Sequence, residues 1–249
     1  MKERKSIYII LPLIALVLMS CQFVNIDLQR RFVKGSGNLT TETEEVTGIE
    51  SVTIEDRGDL TIVQGEREGL TIEADDNILP YIRTSMRGGE LRLEIADGYR
   101  VSDGSTIQYT LYVKDLNRVA IIGSGNVEAD ALDVDDLTLQ VSGSGNMNIK
   151  DLHASKLDVQ SSGSGNYTLE GAVVSQSLTI NGAGNYMAGD LQSSEARINI
   201  SGAGNATVWA EESLDIHISG FGKVDYYGSP KLSQTMAGGG DIQDLGKHK

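Results

Sequence analysis

One stretch of the sequence, residues 142–185, reads SGSGNMNIKDLHASKLDVQSSGSGNYTLEGAVVSQSLTINGAGN. It holds three of the seven Gly-x-Gly tetrapeptides that recur along the second half of the chain. Their first residues are Gly123, Gly143, Gly163, Gly182, Gly202, Gly220 and Gly238. Successive first glycines are 18 to 20 residues apart. A fixed period of this length is typical of a solenoid, in which each repeat forms one turn and packs on its neighbours.

Apolar and polar residues alternate in front of each glycine pair. Leu137, Leu139 and Val141, for example, alternate with polar residues, which is the pattern of a strand with one buried face. A repeat of 18 to 20 residues with this pattern suits one coil of a parallel β-helix. We therefore predict an all-β fold in which residues 117–245 form a single-stranded parallel β-helix.

The glycine pairs and the asparagine that follows five of them predict how the corners are built. Glycine adopts positive φ without steric cost and Asn tolerates it, so we expect tight corners with positive φ. If the coils stack in register, the asparagines form a ladder in which each amide bonds its neighbour or the corner backbone. We assign this structural role to Asn126, Asn146, Asn166, Asn185 and Asn205.

The chain before the repeats is also rich in strand patterns. Val52 and Ile54 precede Asp-Arg-Gly-Asp at residues 56–59 with the offsets of the repeats, so this segment is interpreted as a divergent copy. Residues 75–81 are compatible with a short helical turn. Several further strands, separated by glycine turns, complete a β-rich N-terminal portion of the head domain.

The first 21 residues have the features of a bacterial lipoprotein signal. Positive side chains within residues 2–5 precede an apolar run over 7–19 that is too short for an ordinary membrane span. The run ends in Leu18-Met-Ser-Cys21, which resembles a lipobox. We therefore expect Cys21 to be lipidated, with palmitate among its acyl chains. Two or three acyl chains would anchor the protein stably in a membrane. Gln22 fits delivery to the outer membrane if the source has two membranes.

These patterns divide the chain into five parts. Residues 1–20 are a lipoprotein signal peptide and residues 21–38 a tether. Residues 39–116 form the β-rich N-terminal portion, residues 117–245 the repeat β-helix and residues 246–249 a tail. The only cysteine, Cys21, cannot form an internal disulfide, so an exported chain of this kind must be stabilised by something other than disulfides.

Composition and charge restrict the partners. The chain has 21 Lys and Arg against 35 Asp and Glu, a net charge of −14, and this argues against nucleic acid as a partner. Its 29 Gly accompany only 3 Pro, which excludes collagen-like and Pro-rich chains. The glycine pairs lack the third glycine and the following helix of a dinucleotide-binding loop, so we expect no cofactor.

Two groups of side chains are candidate sites. Tyr167 and Tyr186 follow the asparagine in adjacent coils and form a possible binding strip if exposed, or fill the core if buried. Four aspartates crowd one corner and form a weak Ca²⁺ candidate, against the alternative of a solvated acidic turn. They are Asp130, Asp133, Asp135 and Asp136. Asp158 and Asp215 lie three coils apart, about 14 Å, too far for a paired acid/base site.

The chain resembles the putative auto-transporter adhesin, head GIN domain family of bacterial envelope proteins. The resemblance rests on Gly35-Ser-Gly-Asn38, Asp59-Leu-Thr-Ile-Val-Gln-Gly65, the run Glu73-Ala-Asp-Asp-Asn-Ile-Leu-Pro-Tyr-Ile82 and the Gly-Ser-Gly-Asn ladder. It covers roughly residues 35–245. The resemblance implies a right-handed β-helix and an adhesin-like role, and it brings no catalytic residues with it.

Taken together, these observations favour a non-enzymatic, lipid-anchored cell-envelope protein that is adhesin-like or ligand-binding. Its expected contacts are the membrane, through the lipid, and an extracellular polysaccharide or protein. One alternative is a carbohydrate-active β-helix enzyme, a polysaccharide lyase or hydrolase, with carboxylates on the coil faces. A second alternative is a passive envelope scaffold.

Overall fold

The computed structural model describes residues 30–248. The predicted signal peptide, the expected lipidation site Cys21 and residues 22–29 of the predicted tether lie outside this range. Within it the chain is all-β, with nineteen strands, a single 3₁₀ turn at Leu79–Tyr81 and no α-helix. None of these residues forms a helix long and apolar enough to cross a membrane.

The strands fall into an N-terminal group and a repeat group. The N-terminal strands are β1 (Arg31–Val33), β2 (Leu39–Glu44), β3 (Ser51–Ile54), β4 (Asp59–Gln64), β5 (Gly69–Asp75), β6 (Ile82–Arg87), β7 (Glu90–Ile95), β8 (Tyr99–Val101) and β9 (Ile107–Val113). The repeat strands are β10 (Arg118–Ile121), β11 (Ser124–Ala129), β12 (Leu132–Val141), β13 (Ser144–Ser161), β14 (Asn166–Ile180), β15 (Asn185–Ile200), β16 (Asn205–Ile218), β17 (Phe221–Tyr227), β18 (Lys231–Met236) and β19 (Gly239–Gly246).

The repeat strands pair in parallel, each with the strand one repeat later. Asn146 aligns with Asn166 and Val159 with Leu178, so equivalent positions of successive repeats stand side by side. The predicted parallel β-solenoid is therefore confirmed. Strands β13 to β16 run through most of a turn each, with register shifts at the corner near residues 149–152 and its counterparts, and one more between Ser193 and Glu195.

The N-terminal portion supplies two more turns of the same solenoid. Strand β3 pairs in parallel with β10, and Val52 aligns with Val119 and Ile54 with Ile121, so the interpretation of this segment as a divergent repeat is confirmed. On its other side β3 pairs with β7, while β4 lies between β11 and β9. The turn built from β7 and β9 thus stacks on the turn of β3 and β4, on the side away from β10 and β11. It follows the turn of β3 and β4 in sequence.

The two ends of the solenoid differ. At the N-terminal end the parallel turn is covered by antiparallel neighbours, because β6 pairs with β7, β5 with β9, and β2 with β5. At the C-terminal end β18 and β19 form the last turn, and nearly all of their residues are exposed. The solenoid is therefore closed at one end and open at the other.

The core consists of columns of apolar side chains that run along the solenoid. One column crosses eight turns, and every member is at most 1% exposed: Leu91, Val52, Val119, Leu139, Val159, Leu178, Ile198 and Ile216. Burial of this kind contributes about 25 cal/mol per Å² of apolar surface, so stacking one more turn stabilises its neighbour.

The corner glycines serve a purpose other than the one expected. Positive φ occurs only at glycines among the described residues. Among the glycines of the Gly-x-Gly corners only Gly125 has it, at 155°, and in the divergent corner Gly58 has it, at 140°. The expectation of corners with positive φ, at Asn in particular, is therefore wrong. A Cβ atom on Gly143 would overlap the carbonyl oxygen of Gly123, and the same holds at each later corner. Glycine is required because the backbones of adjacent turns approach too closely for a side chain.

Part of the predicted tether is packed against the body. Strand β1 pairs in parallel with β8, and the following Gly-Ser-Gly-Asn at 35–38 docks on the loop after β5. Asp75, which is 3% exposed, accepts hydrogen bonds from the backbone N–H of Gly37 at 2.7 Å and of Thr106 at 2.9 Å. Residues 31–38 are therefore part of the head, because a buried carboxylate fastens them to it.

Candidate functional site

The asparagine row lies along one edge of the solenoid. The side-chain amide of each Asn donates to the amide oxygen of the preceding one, at 2.8 Å from Asn146 to Asn126 and 2.9 Å from Asn166 to Asn146. The row continues through Asn185 at 2.8 Å and Asn205 at 3.0 Å. Each amide group is thus engaged along the row.

Both ends of the asparagine row have partners of a different type. Asp59 accepts hydrogen bonds from the amide and the backbone N–H of Asn126, both at 2.9 Å. At the other end the backbone N–H of Lys223 donates to Asn205 at 3.3 Å. The hydrogen bonds thus continue from one turn to the next along the whole row, which supports a structural role.

The two tyrosines of the possible binding strip lie in the interior. Tyr167 and Tyr186 are each 1% exposed, and their rings are 6.3 Å apart. Burial raises the pKa of both hydroxyl groups above its ordinary value. The binding strip is therefore wrong, and these rings fill the core column that Val127 and Met147 begin.

A buried polar network begins at Tyr186, and the alternation pattern did not predict it. Tyr186 Oη donates to Oε1 of Gln176 at 2.8 Å, and Gln176 Nε2 donates to Ser193 Oγ at 2.9 Å. Ser193 Oγ in turn donates to the carbonyl oxygen of Trp209 at 2.7 Å. The only signal in the sequence is Gln176 at a position where other repeats have Leu or Ala.

The four aspartates of the acidic corner do not converge on one point. Asp130 pairs with Lys150 at 2.7 Å, and the backbone N–H of Asp133 donates to Gln64 at 2.8 Å. Asp135 and Asp136 are exposed on β12. Across residues 30–248 no group of three or more His, Cys, Asp or Glu side chains is placed to hold a metal ion. The Ca²⁺ candidate is therefore wrong, and the aspartates form a solvated turn.

A shallow polar groove crosses strands β13 to β16 on the outside of the solenoid. Asp158 aligns with Ser177, Ser177 with Arg197, and Arg197 with Asp215. Arg197 Nε lies 3.6 Å from Asp215 Oδ2. The two carboxylates are thus separated by a hydroxyl and a guanidinium, so they cannot act as a pair on one bond.

The predicted tail packs against the side of the last turns. The ring of His248 stacks on Trp209, with centroids 4.1 Å apart and an angle of 8°, and its Nε2 lies 2.9 Å from Asp190 Oδ1. Tyr227 meets the same ring edge-on at 4.9 Å. Residues after β19 therefore return to the body and cover part of an aromatic surface.

A cleft of about 410 Å³ lies where the β1–β8 ribbon meets the first corners of the solenoid. Phe32 comes from β1 and Arg100 from β8, while Asp56 and Arg57 come from the corner between β3 and β4. Arg57 Nη1 donates to the carbonyl oxygen of Val101 at 3.1 Å, so its guanidinium is held at the cleft wall. This cleft depends on the docking of β1, which the sequence patterns did not predict.

The chain matches one protein family over most of its length. Residues 49–230 match the family described as putative auto-transporter adhesin, head GIN domain. Among curated proteins none matches this chain.

Several solved structures share the fold. A putative adhesin from Bacteroides fragilis NCTC 9343 is 28% identical with a TM-score of 0.82, and the match covers 86% of this chain and 100% of that one. A putative lipid binding protein from Parabacteroides distasonis ATCC 8503 is 23% identical with a TM-score of 0.73, over 86% and 100% of the two chains. A putative adhesin from Parabacteroides merdae ATCC 43184 is 22% identical with a TM-score of 0.65, over 86% and 99%.

Proposed function

The chain belongs to the putative auto-transporter adhesin, head GIN domain family, and from that premise we propose that it is a non-enzymatic envelope protein that binds ligands through the outer surface of its solenoid. The ligand is an extracellular polysaccharide or protein. A solenoid suits this task because its stacked turns form a rigid support whose outward side chains vary without disturbing the core.

The spacing of Asp158 and Asp215 in the polar groove across β13 to β16 is the observation that carries this proposal. Hydrolysis of a glycosidic bond by two carboxylates requires them within roughly 5–10 Å of each other. Asp158 and Asp215 have Ser177 and Arg197 between them, which places them about 14 Å apart at roughly 4.8 Å per strand. The groove can therefore bind polar ligands, but this pair cannot supply an acid and a base to one bond.

The alternative of a polysaccharide lyase or hydrolase is tested by product analysis. The purified chain is incubated with a panel of neutral and acidic polysaccharides, and reducing ends and unsaturated products are measured over time. We expect polymers of unchanged length. Released products that disappear in an Asp158→Asn or Asp215→Asn variant would replace the binding function with an enzymatic one.

The alternative of a passive scaffold differs in its partner. A scaffold would be recovered with other envelope proteins when the chain is captured from envelope extracts, and it would retain no polysaccharide. An adhesin-like protein retains external ligand when washed cells display it. Recovery of a stoichiometric envelope partner, without retention of any external ligand, would favour the scaffold.

We also propose that Cys21 carries the lipid, with palmitate among its acyl chains, and anchors the head at the envelope membrane, the outer membrane if the source has two. The proposal rests on the lipobox-like Leu18-Met-Ser-Cys21 after a short apolar run. Only nine residues separate Cys21 from β1, so the fully extended chain spans about 30 Å. The head would therefore stay close to the membrane surface.

Membrane fractionation tests the anchor. Cys21→Ser should move the protein from the membrane to the soluble fraction, because no thiol remains for acylation. Ser20→Ala is the matched control, since it keeps a small residue in the lipobox and should leave the protein in the membrane. Membrane association of Cys21→Ser equal to that of wild type would contradict the anchor.

A further inference from the structure

The edge formed by the Gly-x-Gly corners is an array of mostly small side chains, and larger ones interrupt it at Phe221 near the C-terminal end and in the earliest corners. The position before the first glycine is small or polar in five later turns: Ser142, Ser162, Asn181, Ser201 and Ser219. In the earliest of these corners the equivalent residue is Ile122, which is 44% exposed. Its exposure shows that packing does not explain the change.

The residue between the two glycines departs from the pattern in the same region. Five later turns have Ser or Ala there, before Phe221 and Gly239 in the last two: Ser124, Ser144, Ser164, Ala183 and Ala203. Arg57 aligns with Ser124 in the neighbouring turn and so places a guanidinium where a small side chain recurs. Both departures border the cleft described above, because Arg57 and Gly123, which follows Ile122, line it.

The β1–β8 ribbon adds an apolar and a cationic group to the same cleft. Phe32 and Arg100 are directly paired in the ribbon, so both side chains point from one face. Phe32 is 70% exposed, and the guanidinium carbon of Arg100 lies 5.9 Å from the centre of its ring. A large exposed aromatic ring beside a cation is a common binding element.

The carboxylates of the cleft already have partners. Glu55 pairs with Arg92 at 2.8 Å, and Asp103 pairs with Arg57 at 3.2 Å. Asp56 accepts a hydrogen bond from the backbone N–H of Ile95 at 2.9 Å.

Arg100, in contrast, forms no ion pair with any carboxylate in the described part of the chain. The unmatched charge of the cleft is therefore a cation. A planar guanidinium fork matches a carboxylate, to which it donates two parallel hydrogen bonds.

We propose that this cleft binds an acidic saccharide, a sugar ring that carries a carboxylate, and this deepens the proposed binding function on which it rests. The carboxylate lies on Arg100, and the apolar face of the sugar ring lies on Phe32. A saccharide fits better than a lipid because the cleft is open and polar groups line much of it, without a buried apolar channel for acyl chains.

The charge of the whole chain limits this binding to one place. With a net charge of −14, most of the surface repels an acidic polymer. Binding should therefore saturate at one short oligosaccharide per chain.

Titration calorimetry with trigalacturonate on the intact chain tests the proposal. We expect saturable binding at one site, and at least about tenfold weaker binding by Arg100→Ala, since a charge-assisted pair contributes roughly 1.5–3 kcal/mol. Phe32→Ala should weaken binding by a similar factor. Arg100→Lys should retain only part of the wild-type affinity. Arg87→Ala and Phe221→Ala are the matched controls, because both residues are exposed and neither lines the cleft.

The methyl ester of trigalacturonate separates charge from ring contact. Its binding should be as weak as that of the acid to Arg100→Ala. Equal binding of acid and ester, or equal affinities of wild type and Arg100→Ala, would overturn the proposal. Binding of the chain to anionic phosphatidylglycerol vesicles but not to the saccharide would also overturn it, and would assign the cleft to the membrane.

The failure of this proposal and of the proposed function give different results. If the cleft variants retain all ligand capture by displayed protein, the saccharide site is wrong while the binding function stands. If trigalacturonate is cleaved, the non-enzymatic function fails whatever the cleft binds.

Discussion

The backbone N–H of Ser164 donates a hydrogen bond of 3.0 Å to the carbonyl oxygen of Gly143, one turn earlier. The same oxygen occupies the space that a Cβ atom on Gly163 would need. The parallel stacking of the strands thus continues through the corner, because no side chain separates the two backbones. Each corner repeats this relationship, so the glycine period of the sequence records the spacing of the turns.

Gly163→Ala should therefore lower the free energy of unfolding by about 3 kcal/mol or more, because the new Cβ displaces the corner of the preceding turn. Gly65→Ala is the matched control, since a Cβ there meets nothing within 4 Å and its backbone does not have positive φ. Urea denaturation measures both. A Gly163→Ala protein as stable as Gly65→Ala would show that close approach does not determine the corner.

The asparagine row predicts a smaller effect. Asn166→Ala removes two hydrogen bonds, to Asn146 at 2.9 Å and from Asn185 at 2.8 Å, and should cost about 1–2 kcal/mol of stability. Ligand capture should not change. Asn148→Ala is the control, because Asn148 lies on β13 two residues after Asn146 and outside the row. It should cost less than about 0.5 kcal/mol. Loss of ligand capture by a still-stable Asn166→Ala protein would make the row a binding surface.

The docked N-terminal segment depends on one carboxylate. Asp75→Ala leaves the partly buried N–H groups of Gly37 and Thr106 without their charged acceptor, so we expect a loss of about 2–3 kcal/mol. Trypsin should then cut at Arg31 or Lys34 faster than in wild type, since the segment is released before the body unfolds. Asp97→Ala, in an exposed turn, is the control. Unchanged cleavage at both sites would mean that other contacts hold the segment.

Glu90 predicts a specific dependence on pH. The Thr53 hydroxyl, which donates at 2.7 Å, lowers the pKa of this carboxyl, and hydrogen bonding from Arg92 lowers it further. A lowered pKa means that the contribution is present above the ordinary pKa of Glu and is lost as the pH falls through the lowered value. Glu90→Gln should thus cost less than about 1 kcal/mol at neutral pH and nothing in acid.

Thermal unfolding of wild type and Glu90→Gln between neutral pH and pH ~3 measures this difference. The two curves of midpoint against pH should converge on the acid side. Glu66→Gln, in an exposed turn, should follow wild type throughout. A difference between wild type and Glu90→Gln that grows in acid would contradict the assignment.

The repeat architecture could be predicted because it is written in local periods. The glycine spacing gave the length of a turn, and the alternation around Leu139 and Val159 gave the buried face. The same offsets identified the divergent copy at Val52 and Ile54, which pairs with β10 as expected. Stacked turns repeat the same environment, so each position of one repeat predicts its equivalent in the next.

The features that the sequence did not reveal depend on contacts between distant segments. The alternation pattern left open whether Tyr167 and Tyr186 face inward, because a tyrosine suits both a core and a surface. The docking of residues 35–38 on Asp75 joins positions about 40 residues apart, and no local period encodes it. The cleft between the β1–β8 ribbon and the corner at Arg57 follows from that docking and was missed for the same reason.

Binding without turnover is measured most directly in one experiment. The intact chain is equilibrated with immobilised polygalacturonate, the retained fraction is quantified, and the polymer is then recovered and its length distribution compared with that of polymer kept without protein. We expect retention that Arg100→Ala reduces about tenfold, and an unchanged length distribution. Shortened polymer, or retention that Arg100→Ala leaves unaffected, would contradict a binding head whose solenoid presents this cleft.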